Sequence, residues 1–232
     1  MCEILAASWP EPTRYERLHD WARGLEVFGL GGFGWGVAWL DQSGKVQLER
    51  GLGRYAEEAG DRDRLQQATS RRFLVHLRRP NKLSTVQLAD TQPFAHNGDY
   101  AFCHNGFLER AEQLRPTYAD RLEGQADSEV GWVFLQDRLA DGATPAEAMQ
   151  QLDETFGGKL NLGYLGADGQ LAVYARNRGN ALWRFRAGGA DLVASALHSD
   201  DDSVFQLIFP DSSDPELIPM GTAVTLGDAL ET

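Results

Sequence analysis

The chain has 232 residues, 42% hydrophobic, 10% aromatic and 24% charged, enough apolar content for a sizeable core and too moderate a charge for disorder. Its net charge of −12 argues against nonspecific binding to nucleic acid or anionic membrane, because phosphate affinity comes largely from clustered Lys and Arg, and the best basic cluster is short: Arg71, Arg72, Arg78, Arg79 and Lys82. Residues 2–9 carry no basic n-region, and no stretch approaches the roughly 18 apolar residues of a membrane span, so a cytoplasmic protein is expected.

Strand-like runs come first at Glu3–Ser8, at Trp35–Leu40 with Lys45–Arg50 across a DQSG turn, at Phe73–Arg78 and at Tyr100–His104. Helical periodicity marks Arg14–Leu25, Arg62–Gln67, Ser128–Ala140 and Thr144–Thr155, the last opened by Thr144 as cap and Pro145 as first helical residue, the one before it by Asp127 or Ser128 as cap. Short β-rich runs then follow at Lys159–Leu165, Gln170–Ala175, Ala181–Arg186, Leu192–Ala196, Phe205–Phe209 and Ala223–Leu226. With no linker between halves, residues 1–232 read as one domain. Two face-packed sheets covered by helices accommodate the order, which does not by itself force them. The glycine-rich GLGGFGWG at 29–36 lacks a GKS or GKT ending and precedes a strand, so it reads as a flexible turn and not as a phosphate or dinucleotide loop.

Four clusters carry chemistry, and each also has a plain structural explanation. Removal of Met1 would leave Cys2 with a free amine of pKa about 7.7–8.0 beside a thiol near about 8.5, so that nucleophile and base share one residue; a small hydrophobe beginning an edge strand is the other reading. In FLVHLRRP (73–80), alternation puts Val75, Leu77 and Arg79 on one face and His76 with Arg78 on the other. An arginine at such a strand end either forks a carboxylate or is solvated. Residues 90–108, DTQPFAHNGDYAFCHNGFL, carry HNG twice. The second would place Asn105 and Gly106 just past a strand end, where an amide NH2 and a backbone N–H converge on an oxyanion, unless both tripeptides are ordinary Asn-Gly turns. Asp127, at a helix edge, either accepts a hydrogen bond from a substrate ammonium or caps the helix. The cysteines Cys2 and Cys103 form no C-x-x-C motif, and a cytosolic redox poise argues against a disulfide. Cys103 reads as a buried small residue, and Asp200, Asp201 and Asp202 as a solvated loop. His76, His96 and His104 are not spaced as a compact metal motif and are assigned structural or pocket-lining roles.

Taken in order, Cys2 behind the initiator, GFGWGVAW (32–39), HLRR (76–79) followed by DTQPF (90–94), FCHNGFL (102–108) and ADSE (126–129) resemble class II glutamine amidotransferase domains, which are N-terminal-nucleophile (Ntn) hydrolases. The likeness is to small stand-alone members, among them the ergothioneine-pathway hydrolase of a γ-glutamyl amide, and extends from residue 2 to about 135. It implies an α+β fold, a four-layer αββα sandwich of two antiparallel sheets flanked by helices, which the second-half strands, LVASAL (192–197) included, would complete. It implies Cys2 as nucleophile, Arg78 on the substrate α-carboxylate, Asn105 and Gly106 as oxyanion hole and Asp127 on the substrate α-amino group, with Asn81 and His104 as further substrate-binding residues. The implied reaction releases ammonia or an amine through a γ-glutamyl thioester and needs no metal or organic cofactor.

One departure bears on the substrate. Where the family continues R-x-A-T after the arginine, this chain has Arg78-Arg79-Pro80-Asn81. Asn81 can donate and accept where threonine would, but Pro80 stiffens the loop and Lys82 adds a charge, so a γ-glutamyl compound other than free glutamine is admitted. The implied ligand is glutamine or a γ-glutamyl small molecule; the domain either works alone as a hydrolase or lends ammonia to a separate synthase subunit, and its acidic surface would tolerate a homodimer if an apolar patch exists. The alternative is a γ-glutamyl-ligand binding or regulatory domain without turnover.

Overall fold

A computed structural model describes residues 2–29, 31–195, 197–199 and 203–227. In chain order the elements are β1 (Glu3–Arg14), α1 (Glu16–Phe28), β2 (Trp35–Leu40), β3 (Val46–Gly51), α2 (Tyr55–Glu58), α3 (Asp63–Gln66), β4 (Thr69–Leu77), β5 (Phe94–His96), β6 (Tyr100–Leu108), α4 (Ala111–Leu114), α5 (Asp127–Ala140), α6 (Pro145–Phe156), β7 (Gly158–Gly166), β8 (Leu171–Arg176), β9 (Leu182–Ala187), β10 (Ala190–Ser195), α7 (Ser203–Ile208), β11 (Ser213–Leu217) and β12 (Thr222–Leu226). The strands form a seven-stranded sheet, β11-β9-β10-β1-β4-β2-β3, and a five-stranded sheet, β12-β8-β7-β6-β5, antiparallel throughout their paired strands.

Alternation in the central strands builds the layers. In β1, Leu5 and Ala7 face α1, whose Leu18, Ala22 and Leu25 cover them together with Phe73 and Val75 of β4. Ile4 and Ala6 point the other way and meet Leu74, Ala101, Cys103 and Val173 between the sheets. The outer face of the smaller sheet, with Phe102, Leu160 and Leu162, is covered by Val130 and Phe134 of α5 and Met149 and Leu152 of α6. The result is helix, sheet, sheet, helix, with three apolar layers between them.

Helix α6 begins as expected: Thr144 Oγ1 accepts from Glu147 N–H at 3.3 Å and Glu147 Oε2 accepts from Thr144 N–H at 2.8 Å, a reciprocal capping box. Several expectations are corrected. Residues Arg62–Gln67 contain only the single turn α3, and β1 runs six residues beyond Ser8. Phe205–Phe209 lies in and just after helix α7, not in a strand. Short apolar runs are ambiguous in period, and here packing decides: Ile208 and Phe209 are buried against the α1 layer, while the slot beside β9 is filled by the polar β11. Neither Asp127 nor Ser128 caps α5; Ala126 occupies the cap position without a side-chain bond. Asn105 and Gly106 lie inside β6, opposite Asn161 and Leu160 of β7, not past its end. Only the first HNG is a turn, with Asn97 and Gly98 at φ 51° and 81° between β5 and β6. Asp200, Asp201 and Asp202, and Ala196 of the LVASAL run, fall outside the described residues. Among the described residues no helix is long and apolar enough to cross a membrane.

Candidate active site

Register brings the first chemistry together. Glu3 pairs with Leu77, so β1 begins where β4 ends and Cys2 meets the segment that leaves β4. The Arg79 N–H donates to Cys2 Sγ at 3.3 Å, and Sγ–H faces Arg79 O at 3.6 Å. From the other sheet, Asn105 shares the inward face of β6 with Ala101 and Cys103, and its amide NH2 donates to the Cys2 carbonyl. Asn105 Oδ1 accepts from Asn161 Nδ2 at 3.1 Å and Asn177 Nδ2 at 3.2 Å, which fixes which end of the amide faces Cys2. Gly106 follows at φ 144°.

Cys2, Arg78, Asn81, His104, Gly106 and Asp127 line one open-mouthed cavity. Asn105 is not on its lining but behind Cys2. Arg78 is buried, with Nη2 donating to Thr85 Oγ1 at 2.8 Å and Nη1 without a partner. The hydroxyl beside this guanidinium is therefore that of Thr85, while Asn81 is exposed at the mouth. Asp127 sits in the first turn of α5, where the helix dipole favours a carboxylate; Oδ2 accepts from Leu108 N–H at 2.8 Å and Oδ1 from Ser128 N–H at 2.9 Å. Each oxygen retains capacity for a further donor. The chain entering α5 is held from both sides: buried Asp90 Oδ1 accepts from Gln125 N–H and Ala126 N–H at 2.8 and 2.7 Å, and Arg115 Nη2 donates to their carbonyls at 2.9 and 2.7 Å.

His104 is fixed by its main chain, N–H to Gln92 Oε1 at 2.6 Å and carbonyl from His76 Nε2 at 3.2 Å; its ring Nε2 is buried without a partner. Burial depresses both imidazoles, His76 to about 3 with the Arg78 charge adding, His104 against the opposing charge of Asp127. Among the described residues no three His, Cys, Asp or Glu side chains converge as a metal site.

A polar network behind Cys2 was not expected from sequence. Glu3 is fully buried, and its Oε2 accepts from Asn180 Nδ2 at 3.1 Å and from Ser195 Oγ. Asn180 Nδ2 also reaches the Cys2 carbonyl at 3.2 Å, and His198 Nε2 lies 3.6 Å from Glu3 Oε1. Two signals were available: a carboxylate inside the apolar run EILAAS, and the asparagines of RNRGN (176–180), which read as turn residues.

Burial pushes the Cys2 thiol up, against the Arg79 N–H, the positive N-terminus and Arg78, which favour the thiolate; Glu3 adds to the rise. While residue 1 is attached, the Cys2 nitrogen is an amide and offers no base. A chain that retains Met1 is therefore expected to react with iodoacetamide at pH 7 more slowly than a free cysteine peptide, its rate rising with pH through an inflection above the ordinary thiol value. A rate equal to that of the peptide would show that burial does not govern this thiol.

A family model described as "Glutamine amidotransferases class-II" matches residues 1–195. Among solved structures, the glutamine phosphoribosylpyrophosphate amidotransferase from B. subtilis, complexed with ADP and GMP, is similar at a TM-score of 0.75 and 17% identity over 98% of this chain and 47% of its own. This chain thus spans about half the length of that enzyme. A glutamine aminotransferase class-II domain protein from Silicibacter pomeroyi is similar at TM-score 0.57 and 19% identity, covering 84% of this chain and 88% of that one. A predicted glutamine amidotransferase from Pseudomonas aeruginosa is similar at TM-score 0.53 and 18% identity, covering 97% of each chain. No curated protein sequence matches. At these identities the likeness shows the fold: two antiparallel sheets with flanking helices in the Ntn-hydrolase arrangement.

Proposed function

The chain belongs to the class II glutamine amidotransferase family, and from that membership and the geometry around Cys2 we propose that it hydrolyses the γ-amide of glutamine or of a γ-glutamyl compound, releasing ammonia or an amine. The observation that carries the reading is one cavity holding the Cys2 thiol, the buried and unpartnered Nη1 of Arg78 and the carboxylate of Asp127. A γ-glutamyl head is a zwitterion, and these two charges are its complement: Arg78 takes the α-carboxylate, Asp127 the α-ammonium, and the γ-carbonyl comes to the sulfur. Asn81 at the mouth and the His104 ring supply further polar contacts.

Removal of Met1 turns the Cys2 nitrogen into an amine that takes the thiol proton. The thiolate forms a C–S bond to the amide carbon, and the carbonyl electron pair moves onto oxygen. Asn105 uses one N–H on the Cys2 carbonyl and has a second for this oxyanion, with the Gly106 N–H beside it; each such donor is worth about 10²–10³ in kcat. Collapse breaks the C–N bond, and the departing amine takes the proton from the Cys2 ammonium. Water then attacks the thioester, giving glutamate and the regenerated thiol. Where ammonia is the product, a separate synthase subunit is the partner that would consume it.

The test is intact mass before and after incubation with a diazo-ketone analogue of glutamine, followed by fragmentation. Loss of Met1 and a single adduct on residue 2 are expected. Retained Met1 with no adduct, in protein shown to be folded, would overturn the reading.

A further inference from the structure

Two consecutive arginines, Arg78 and Arg79, line the cavity with Cys2, and only one has a place in the reaction above. Beyond Leu77 the chain stays extended, Arg78 exchanging main-chain hydrogen bonds with residues 33 and 34 at 3.1 and 2.8 Å, so successive side chains leave to opposite sides. The charges of Asp90 and Asp127 act on Arg78, which places it on the side of the glutamyl head. The charge of Arg79 acts instead on His198, in the network behind Cys2. The sulfur is bonded to the Arg79 main chain on both N–H and C=O, and Cys2, Arg78 and Arg79 all line the cavity.

The cavity's charges then leave a remainder. Arg78 and Asp127 answer the zwitterionic head, and Lys82 Nζ pairs with Glu112 Oε1 at 3.4 Å across the mouth. Arg79 lines the same cavity with an exposed side chain that has no ion pair or side-chain hydrogen bond among the described residues. A scissile amide has two halves, and the half beyond the C–N bond lies on the side of the sulfur away from Arg78. Ammonia leaving from glutamine has no use for a cation there, whereas an amine carrying an anionic group does.

We propose that Arg79 is a specificity residue for the leaving amine, and that the substrates of this chain are γ-glutamyl amides whose amine half bears an anionic group, as in γ-glutamyl amino acids. This rests on the hydrolase reading above and narrows its substrate class.

The test compares kcat/KM for γ-glutamylglycine and its uncharged isostere γ-glutamylglycinamide, in the wild type and in Arg79→Gln. The wild type is expected to prefer the charged amide by about tenfold, the scale of one charge-assisted hydrogen bond, and to lose part of that preference on raising the salt to about 0.5 M. In Arg79→Gln the ratio is expected to fall to about one. A wild-type ratio near one, or a ratio unchanged in Arg79→Gln, overturns the inference while hydrolysis itself stands. Should Arg79→Gln fail to fold, the wild-type ratio and its salt dependence decide. Turnover of no amide, with no adduct on Cys2, overturns the parent reading and this one with it.

Discussion

Replacing Cys2 with alanine is expected to lower kcat for γ-amide hydrolysis by about four to six orders of magnitude, the scale on which removing an attacking nucleophile acts, while the protein stays folded. Cys2 precedes β1, is half-buried, and among the described residues its sulfur bonds only to the main chain of Arg79, so its loss costs about 1 kcal/mol or less. No second thiol can replace it: Cys103 is fully buried between the sheets, and burial pushes its thiol far above the ordinary range. Turnover and glutamine affinity, by coupled glutamate assay and calorimetry, separate the outcomes. Binding retained with turnover gone supports the hydrolase. Binding in the wild type and in Cys2→Ala with turnover in neither would favour the ligand-binding alternative, and residual turnover above about a hundredth of wild type would place the nucleophile elsewhere.

The residues of this site are legible in sequence because each lies in a short stretch with its own chemistry, but their meeting is not. EILAAS and FLVHL announce two strands by alternation; that Cys2 abuts Arg78 and Arg79 follows from the pairing of Glu3 with Leu77, which neither stretch encodes alone. Asn105 looked like a residue beyond a strand because Asn-Gly is a turn signal; the ladder to Asn161 and Leu160 on β7, far along the chain, overrides it. Asn177 and Asn180, which read as turn residues, Ser195 in a strand-like run, and His198 come from the second half, and become a support for Cys2 only through the packing of β1 beside β10 and onto the other sheet. Thr85 was passed over for Asn81 because distance along the loop is not distance to the Arg78 guanidinium. Phe205–Phe209 failed for a different reason: an apolar run too short to show a period is decided by its neighbours. What local pattern supplies is element type and residue chemistry; what it lacks is the long-range register that makes a site.

Gly106→Ala is the substitution in which fold and proposed catalysis meet. A Cβ there would overlap the carbonyl oxygen of Lys159 and come within 2.7 Å of its carbon and 3.2 Å of Leu160 Cα. All three are main-chain atoms of β7, which cannot move aside by rotamer change and are tied into the centre of the five-stranded sheet. The φ of 144° adds strain for any L-residue. Together these are expected to cost about 3–5 kcal/mol, a large part of the about 5–15 kcal/mol that holds a domain folded, and to lower Tm by about 10 °C. Gly142→Ala is the control: its φ is 91°, yet nothing lies within 4 Å of the added Cβ, so it carries the conformational term of about 1 kcal/mol alone. Thermal unfolding followed by circular dichroism distinguishes them, and a Gly106→Ala Tm within about 2 °C of the Gly142→Ala value would mean that β7 yields. At a temperature where both variants are folded, the Gly106 N–H makes a second distinction. If it faces the oxyanion, displacement of the main chain against Lys159 lowers kcat by about 10²-fold with KM little changed, because the proposed reading has Arg78 and Asp127, and not Gly106, hold the glutamyl head. An equal loss spread over KM would assign Gly106 to shaping the cavity and leave Asn105 as the donor to the oxyanion.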